Sequence, residues 1–180
     1  VILVSVGTQF PFDRLISTVD MWAVENGRTD VMAQTGPSGY TPRALKCFAM
    51  MSPDKFRKLQ AEAELIVAHA GMGSILTALE FRKPIIIMPR DHTRGEHRNA
   101  HQSATAARFE NTPGLYVVRD EAELLDRLNH LSDMVASQGV SRKAPEEFVS
   151  RLRAFIEEER PSSRVWTLPW RRNESSAAKR

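Results

Sequence analysis

Short, mainly apolar stretches alternate along this chain with longer segments whose apolar residues recur every three to four positions. Val1–Val6 is one such stretch and ends at Gly7, which predicts a buried strand. From Phe12 to about Glu25, the residues Leu15, Ile16, Val19 and Trp22 recur at helical spacing, and Asn26-Gly27 stops that helix. Further strands are predicted over Asp30–Gln34, Ala44–Met50, Leu65–Ala68, Pro84–Met88 and Leu115–Val118. Helices fill the intervals: one opened by Ser52-Pro53-Asp54, then Ser74–Arg82, Asn99–Phe109 and Glu121–Met134. A last amphipathic helix, Pro145–Glu159, places Phe148, Leu152 and Phe155 on one face.

Buried strands alternating with helices are the signature of a parallel sheet covered on both faces. With right-handed crossovers, the expectation is an α/β fold, a single Rossmann-like domain. The pattern leaves strand order open. At 180 residues, one domain is the prior. It is drawn here as residues 1–159, followed by a Ser-, Arg- and Pro-rich tail over 160–180 that is expected to be flexible. Gly36–Arg43, with Pro37, Gly39 and Pro42, reads as a turn-rich loop.

Charge refines this picture more than the net value of +3 suggests. The 160–180 segment holds six basic residues against the single acid Glu174, and the remainder of the chain is slightly acidic. A nucleic-acid-binding body needs a basic face on the fold itself, and none is evident, so a nucleic-acid partner is not expected. The longest purely apolar run, Ile85–Met88, is far short of the ~20 residues of a membrane helix. No secretory signal is visible, and the lone Cys47 fits a reducing compartment, so the expected location is cytoplasmic.

In an open parallel sheet, ligands bind where strands end and helices begin. Four such junctions are rich in small or polar groups: GTQFPFD at 7–13, QTGPSG at 34–39, HAGMGS at 69–74 and PRDHTRGEHRNAHQ at 89–102. The third is the sharpest. There a strand runs through His69, Gly71 and Gly73 into Ser74, and a helix starts at once. Free N–H groups and the positive end of the helix dipole make an anion site suited to a diphosphate. An ordinary tight turn with a capping Ser74 is the competing reading. The run is neither a Walker A loop nor a GxGxxG fingerprint, which disfavours an NAD-dependent oxidoreductase. Ser74, Thr77 and Glu80 share one helix face, so Glu80 either reaches back toward a ligand's ribose or is a solvated residue paired nearby.

The 89–102 junction gathers Arg90, Asp91, His92, Arg94, Glu96, His97, Arg98, Asn99, His101 and Gln102, polar crowding that suits a sugar's hydroxyls. Asn99 and Gln102 lie one helical turn apart. His92, His97 and His101 raise a metal reading, and His97 and His101 are spaced to chelate, but no acid or Cys completes a zinc pattern and no metal site is expected. Near the chain's start, Asp13 reads as a helix cap, and Thr8 and Gln9 as contacts to phosphate or acceptor. No Ser-His-Asp arrangement is evident.

Taken together, GTQFPFDRL, HAGMGSILTALEFRKPIIIMPR and GEHRNAHQ resemble the C-terminal, donor-binding domain of glycosyltransferase family 28. The resemblance spans roughly residues 1–155. It extends to the stand-alone small subunits of two-part transferases, one extending dolichol-linked sugar and others, closer still, bacterial exopolysaccharide subunits associated with glucuronosyl transfer. It implies the C-terminal half of a GT-B enzyme that takes a UDP-sugar as donor substrate and needs no other cofactor. A second, membrane-associated polypeptide would supply the half that binds a lipid-linked acceptor, drawing this chain to the inner face of the membrane.

By position, the resemblance implies that Gly71, Gly73 and Ser74 cradle the diphosphate with His69 beside them. Gly7 and Thr8, together with Gln34, Thr35 and Gly36, would line the nucleotide site. Asn99 and Gln102 would bind donor sugar or phosphate, with Arg94, His97 and Arg98 as donor-sugar candidates, an arginine suiting a uronate. One departure stands out. Relatives commonly carry a ribose-binding Glu where this sequence has Thr77, which leaves Glu80 or a hydroxyl bond to take over. The implied reaction is inverting transfer without a metal, its general base coming from the other half. A non-catalytic nucleotide-sugar-binding or scaffolding subunit is the alternative.

Overall fold

The computed structural model describes residues 1–141 and 143–158; the basic 160–180 segment, with Trp166 and Trp170, lies outside the described residues. The chain divides into two compact units, Val1–Arg142 and Lys143–Arg180. In the second, the described helix is α6 (Glu146–Glu158).

The first unit is built on β1 (Ile2–Ser5), β2 (Val31–Gln34), β3 (Lys46–Phe48), β4 (Leu65–His69), β5 (Ile85–Met88) and β6 (Leu115–Val117). They form one sheet in the order β3-β2-β1-β4-β5-β6, and every neighbouring pair is parallel. This is the doubly wound order, with its direction of travel reversing between β1 and β4. The expected α/β, Rossmann-like fold is therefore present, and the order that the sequence pattern left open is resolved.

Alternation along each strand feeds two cores. Ile2 and Val4 of β1, Val31 and Ala33 of β2, Val67 of β4 and Ile86 of β5 face α1 (Asp13–Glu25) and α5 (Glu121–Asn129). There they meet Leu15, Ile16, Val19, Trp22, Leu124 and Leu128. Leu3, Ile66, Ala68, Ile85 and Ile87 point the other way, onto Ile75, Ala78 and Leu79 of α3 (Met72–Glu80) and Ala106 of α4 (His101–Phe109). Helix α2 (Pro53–Glu62) adds Phe56 and Leu59 at the margin of this second core. Strands buried on both faces need to be apolar at every position, which is why these runs carry no polar alternation.

Several element boundaries differ from the sequence expectation; α3, expected over 74–82, runs from Met72 to Glu80. The strand expected over 44–50 is shorter, because β3 is an edge strand that pairs only Lys46, Cys47 and Phe48 with β2. Helix α4 begins at His101 rather than Asn99, and the Asn99 Oδ1 accepts the His101 amide at 3.3 Å. Helix α5 ends at Asn129 and a 3₁₀ turn, Leu131–Asp133, follows. Leu131 and Met134 still pack on the core, so apolar periodicity outlasts the helix. Among the described residues no helix is long and apolar enough to cross a membrane.

Candidate functional site

At the carboxyl ends of β1, β4 and β5, beside the point where strand order reverses, a cleft of about 470 Å³ opens. Its walls are Val6–Phe10, His69 with Gly71, and Arg90 with residues of the 97–102 segment. No Asp or Glu lines it among the described residues, while Arg90, Arg98 and three histidines do. Such a cavity favours anions.

The turn from β4 into α3 explains its own glycines. Gly71 is the residue before the helix, in extended conformation, and the first helical bond runs from the Ile75 amide to the Gly71 carbonyl at 3.2 Å. The amides of Met72, Gly73 and Ser74 therefore precede the helix's own ladder, at its positive end. Ser74 sits buried within the first turn and Gly71 takes the cap position, so the capping reading of Ser74 is not the observed one. A Cβ on Gly71 would run into the His69 imidazole. A Cβ on Gly73 would meet nothing within 4 Å. Close packing thus demands the first glycine, whereas the second borders open space.

His69 lies along the cleft floor with its Nδ1 3.3 Å from the Ser5 carbonyl oxygen. A carbonyl only accepts, so Nδ1 carries the proton and Nε2 holds a lone pair in the neutral ring. Burial pushes the His69 pKa below its ordinary value, which keeps the ring neutral near pH 7. Gly7, with φ of +76°, passes directly against this ring. Gly36 has φ of +56°, and a Cβ there would stand 2.6 Å from the Gly7 carbonyl oxygen. Both turns need glycine, for conformation and for space.

Two arginines assemble the remaining wall. Arg90, just past β5, is buried and donates to the carbonyls of Val6 (2.5 Å), Phe10 (2.8 Å) and Pro11. The Arg90 amide in turn is accepted by Gln102 Oε1 at 3.0 Å, fixing α4 to the β5 exit. Arg14 of α1 clamps Glu96 through two bonds of 2.8 and 2.9 Å, and Glu96 also accepts the Asp91 amide at 2.7 Å. At the mouth, Phe10, His97 and His101 form an aromatic cluster, with ring centroids 5.3 and 4.5 Å apart, and Arg98 covers Phe10.

The profile of the glycosyltransferase family 28 C-terminal domain matches residues 1–153. The chain belongs to this family. Membership supports a donor-binding role in sugar transfer, and the cleft occupies the place where a doubly wound sheet takes its ligand. Among solved structures, the solution NMR structure of ALG13 is similar at 19% identity, with a TM-score of 0.56 over 84% of this chain and 93% of that one. A crystal structure described as the glycotransferase of kitacinnamycin is similar at 17% identity, with a TM-score of 0.54, covering 87% of this chain and 38% of that one. At these identities the likenesses establish the fold. No curated protein matches the chain.

Within this member of the family 28 domain, the predicted site residues separate into groups. Gly7, Thr8, His69, Gly71, His97, Arg98, Asn99 and Gln102 line one cleft, and Gly73 and Ser74 continue from it into α3. Gln34 and Thr35 are buried beside it, and Gly36 abuts the Gly7 wall. Thr77 donates its hydroxyl to the Gly73 carbonyl at 2.8 Å. Glu80 ends α3, about 12 Å of helix from its start. There it pairs with Arg57 of α2, away from the cleft lining. Arg94 also points elsewhere, to Glu121 at 3.1 Å and Asp91 at 3.7 Å.

The sequence reading missed several supports. Asp13 opens α1 and makes no cap bond; its carboxylate accepts Ser38 Oγ at 2.6 Å and the Gly39 amide at 3.2 Å, tying the 36–43 loop to the helix. Asp20, wholly buried, accepts the amides of Arg43 (3.0 Å) and Ala44 (2.8 Å) and the Tyr40 hydroxyl (2.8 Å). These bonds hold its pKa below the ordinary carboxylate value in spite of burial, which acts the other way. A signal for it existed: Asp20 falls on the apolar face of its helix, four residues after Ile16.

Proposed function

We propose that this chain is the donor-binding subunit of a two-component, inverting glycosyltransferase that takes a UDP-sugar and serves a lipid-linked acceptor presented by a membrane-associated partner. The observation that carries this reading is the opening of α3: three helix-start amides, with open space at Gly73, leading from a cleft that no Asp or Glu lines among the described residues, at the switch point of the sheet. A diphosphate is the ligand such a site suits. In the reaction, an acceptor hydroxyl attacks the anomeric carbon as the nucleoside diphosphate leaves. The helix start stabilises the charge that grows on the leaving group.

A general base must take the acceptor proton. Since no Asp or Glu lines the cleft among the described residues, a carboxylate base has to come from another surface, which supports a partner-completed site. The same fact leaves a second reading standing, in which the subunit binds donor without contributing to the chemistry. Arg98, lining the cleft over Phe10, is the residue for a donor carboxylate if the sugar is a uronic acid.

The test is a titration of the chain with UDP, UDP-glucuronic acid, UDP-N-acetylglucosamine and NAD, followed by thermal shift. The uridine ligands are expected to raise the melting temperature and NAD to leave it unchanged. Stabilisation by NAD alone would contradict the proposal. Turnover by the chain reconstituted with its partner, abolished by Gly73→Asp in an intact complex, would separate the catalytic reading from the scaffolding one.

A further inference from the structure

Arg90 holds a cation inside the protein without an ion pair among the described residues; the nearby Glu96 carboxylate attracts it but is itself clamped by Arg14. Its side chain is buried, it lies 4.7 Å above the Phe12 ring, and all its acceptors are main-chain carbonyls. Those belong to Val6, Phe10 and Pro11 from the β1 exit and to Glu96, at 3.5 Å, from the β5 exit. The Glu96 carboxylate is engaged by Arg14 and by the Asp91 amide, and Arg90 makes no ion pair among the described residues. Carbonyl dipoles satisfy the guanidinium's hydrogen bonds without cancelling its charge.

Two consequences follow for the cleft that Arg90 helps to line. The carbonyls of Val6, Phe10 and Pro11, whose negative ends would oppose an anion, are committed to the guanidinium, and the loop carrying Gly7, Thr8 and Gln9 is held in one shape. A full positive charge also remains fixed beside the cavity, where low polarisability of the surroundings lets its field act with little screening. Burial pushes the Arg90 pKa down to about 10, still well above neutrality.

We propose that Arg90 is a positioning residue whose carbonyl-caged charge makes the cleft selective for the anionic part of its ligand. The proposal rests on the donor-site reading above. A merely structural role would weaken every ligand alike; a charge role weakens ligands in proportion to their phosphates.

The experiment compares the full chain with Arg90→Gln and Arg90→Lys by NMR titration with UDP, UMP and uridine. In Arg90→Gln the preference for UDP over uridine is expected to fall at least about tenfold, with UMP between them. In Arg90→Lys, which keeps the charge, the preference is expected to stay within about threefold of the parent even where all affinities drop. A parent-like preference in Arg90→Gln overturns the proposal, as does its collapse in Arg90→Lys. If Arg90→Gln does not fold, the lysine variant decides. Failure of the parent chain to bind UDP overturns the donor-site reading and this proposal with it, whereas parent binding with an indifferent Arg90 overturns this proposal alone.

Discussion

Replacing Gly73 by alanine separates folding from binding, because the two respond in opposite directions. Gly73 is the second residue of α3, and its missing Cβ would meet nothing within 4 Å. Alanine gains about 0.5–1 kcal/mol over glycine in a helix, by restricting the unfolded chain and covering backbone. For a chain of this size that raises the melting temperature by roughly 1–4 °C. The same methyl projects into the open space that the proposed diphosphate occupies. A phosphate oxygen accepting from these amides sits about 2.9 Å from nitrogen, and a diphosphate filling the open space beside Gly73 is crowded by the methyl. Losing one or two charge-assisted bonds at about 1.5–3 kcal/mol each weakens UDP binding by roughly tenfold to ten-thousandfold. The assay is calorimetric titration with UDP beside thermal melts of both proteins. A variant that is more stable and binds UDP within twofold of the parent refutes the placement of the ligand. A less stable variant refutes the claim of open space. Gly71→Ala is the contrast: its Cβ collides with His69, so destabilisation of about 1–3 kcal/mol is expected before any ligand is added.

Two further predictions follow from buried groups. Asp20→Ala removes the acceptor for two amides and a tyrosine hydroxyl, and urea unfolding is expected to show a loss of about 3 kcal/mol; a loss under about 1 kcal/mol would mean the network contributes little. His69 has its pKa lowered in the folded chain from the ordinary 6.5, so below that value the unfolded chain takes up protons that the folded one refuses. Its contribution is therefore full above the unfolded value and is lost as pH falls toward the folded one; His97, lowered first by burial, acts in the same direction. Urea midpoints at about pH 7.5 and about pH 5.5 should drop more in the parent than in His69→Asn, and equal drops would refute this assignment.

The sheet was legible because its central strands are buried on both faces and read as largely apolar runs such as Ile85–Met88, whereas the edge strand Lys46–Phe48 is largely exposed. The helices were legible from periodicity, though their ends were not: Leu131 and Met134 keep the pattern after the backbone has left the helix. Strand order was illegible because it depends on which crossovers pack, a property of pairs of elements and not of any one segment. In the site, the glycine turn at 69–74 and the polar cluster at 97–102 were readable, since close backbone approach and crowded donors leave compositional marks. Spacing alone left Glu80 between a ribose contact and a nearby ion pair, and its partner Arg57 comes from another helix, which spacing within α3 cannot show. Arg90 and Asp20 carried quieter signals, an arginine two residues past a wholly buried strand and an acid on an apolar stripe. Their partners lie far away in sequence, so only the fold reveals what they hold.

At the centre of the donor-site reading, the amides at the start of α3 grip a diphosphate. Backbone-assigned NMR spectra recorded while UDP is added read this most directly. Large shifts confined to the amides of residues 71–74, with smaller ones at Gly7, Thr8 and the 97–102 segment, are the predicted result. Saturable shifts centred on another part of the surface, or spectra that do not respond to UDP, would contradict it.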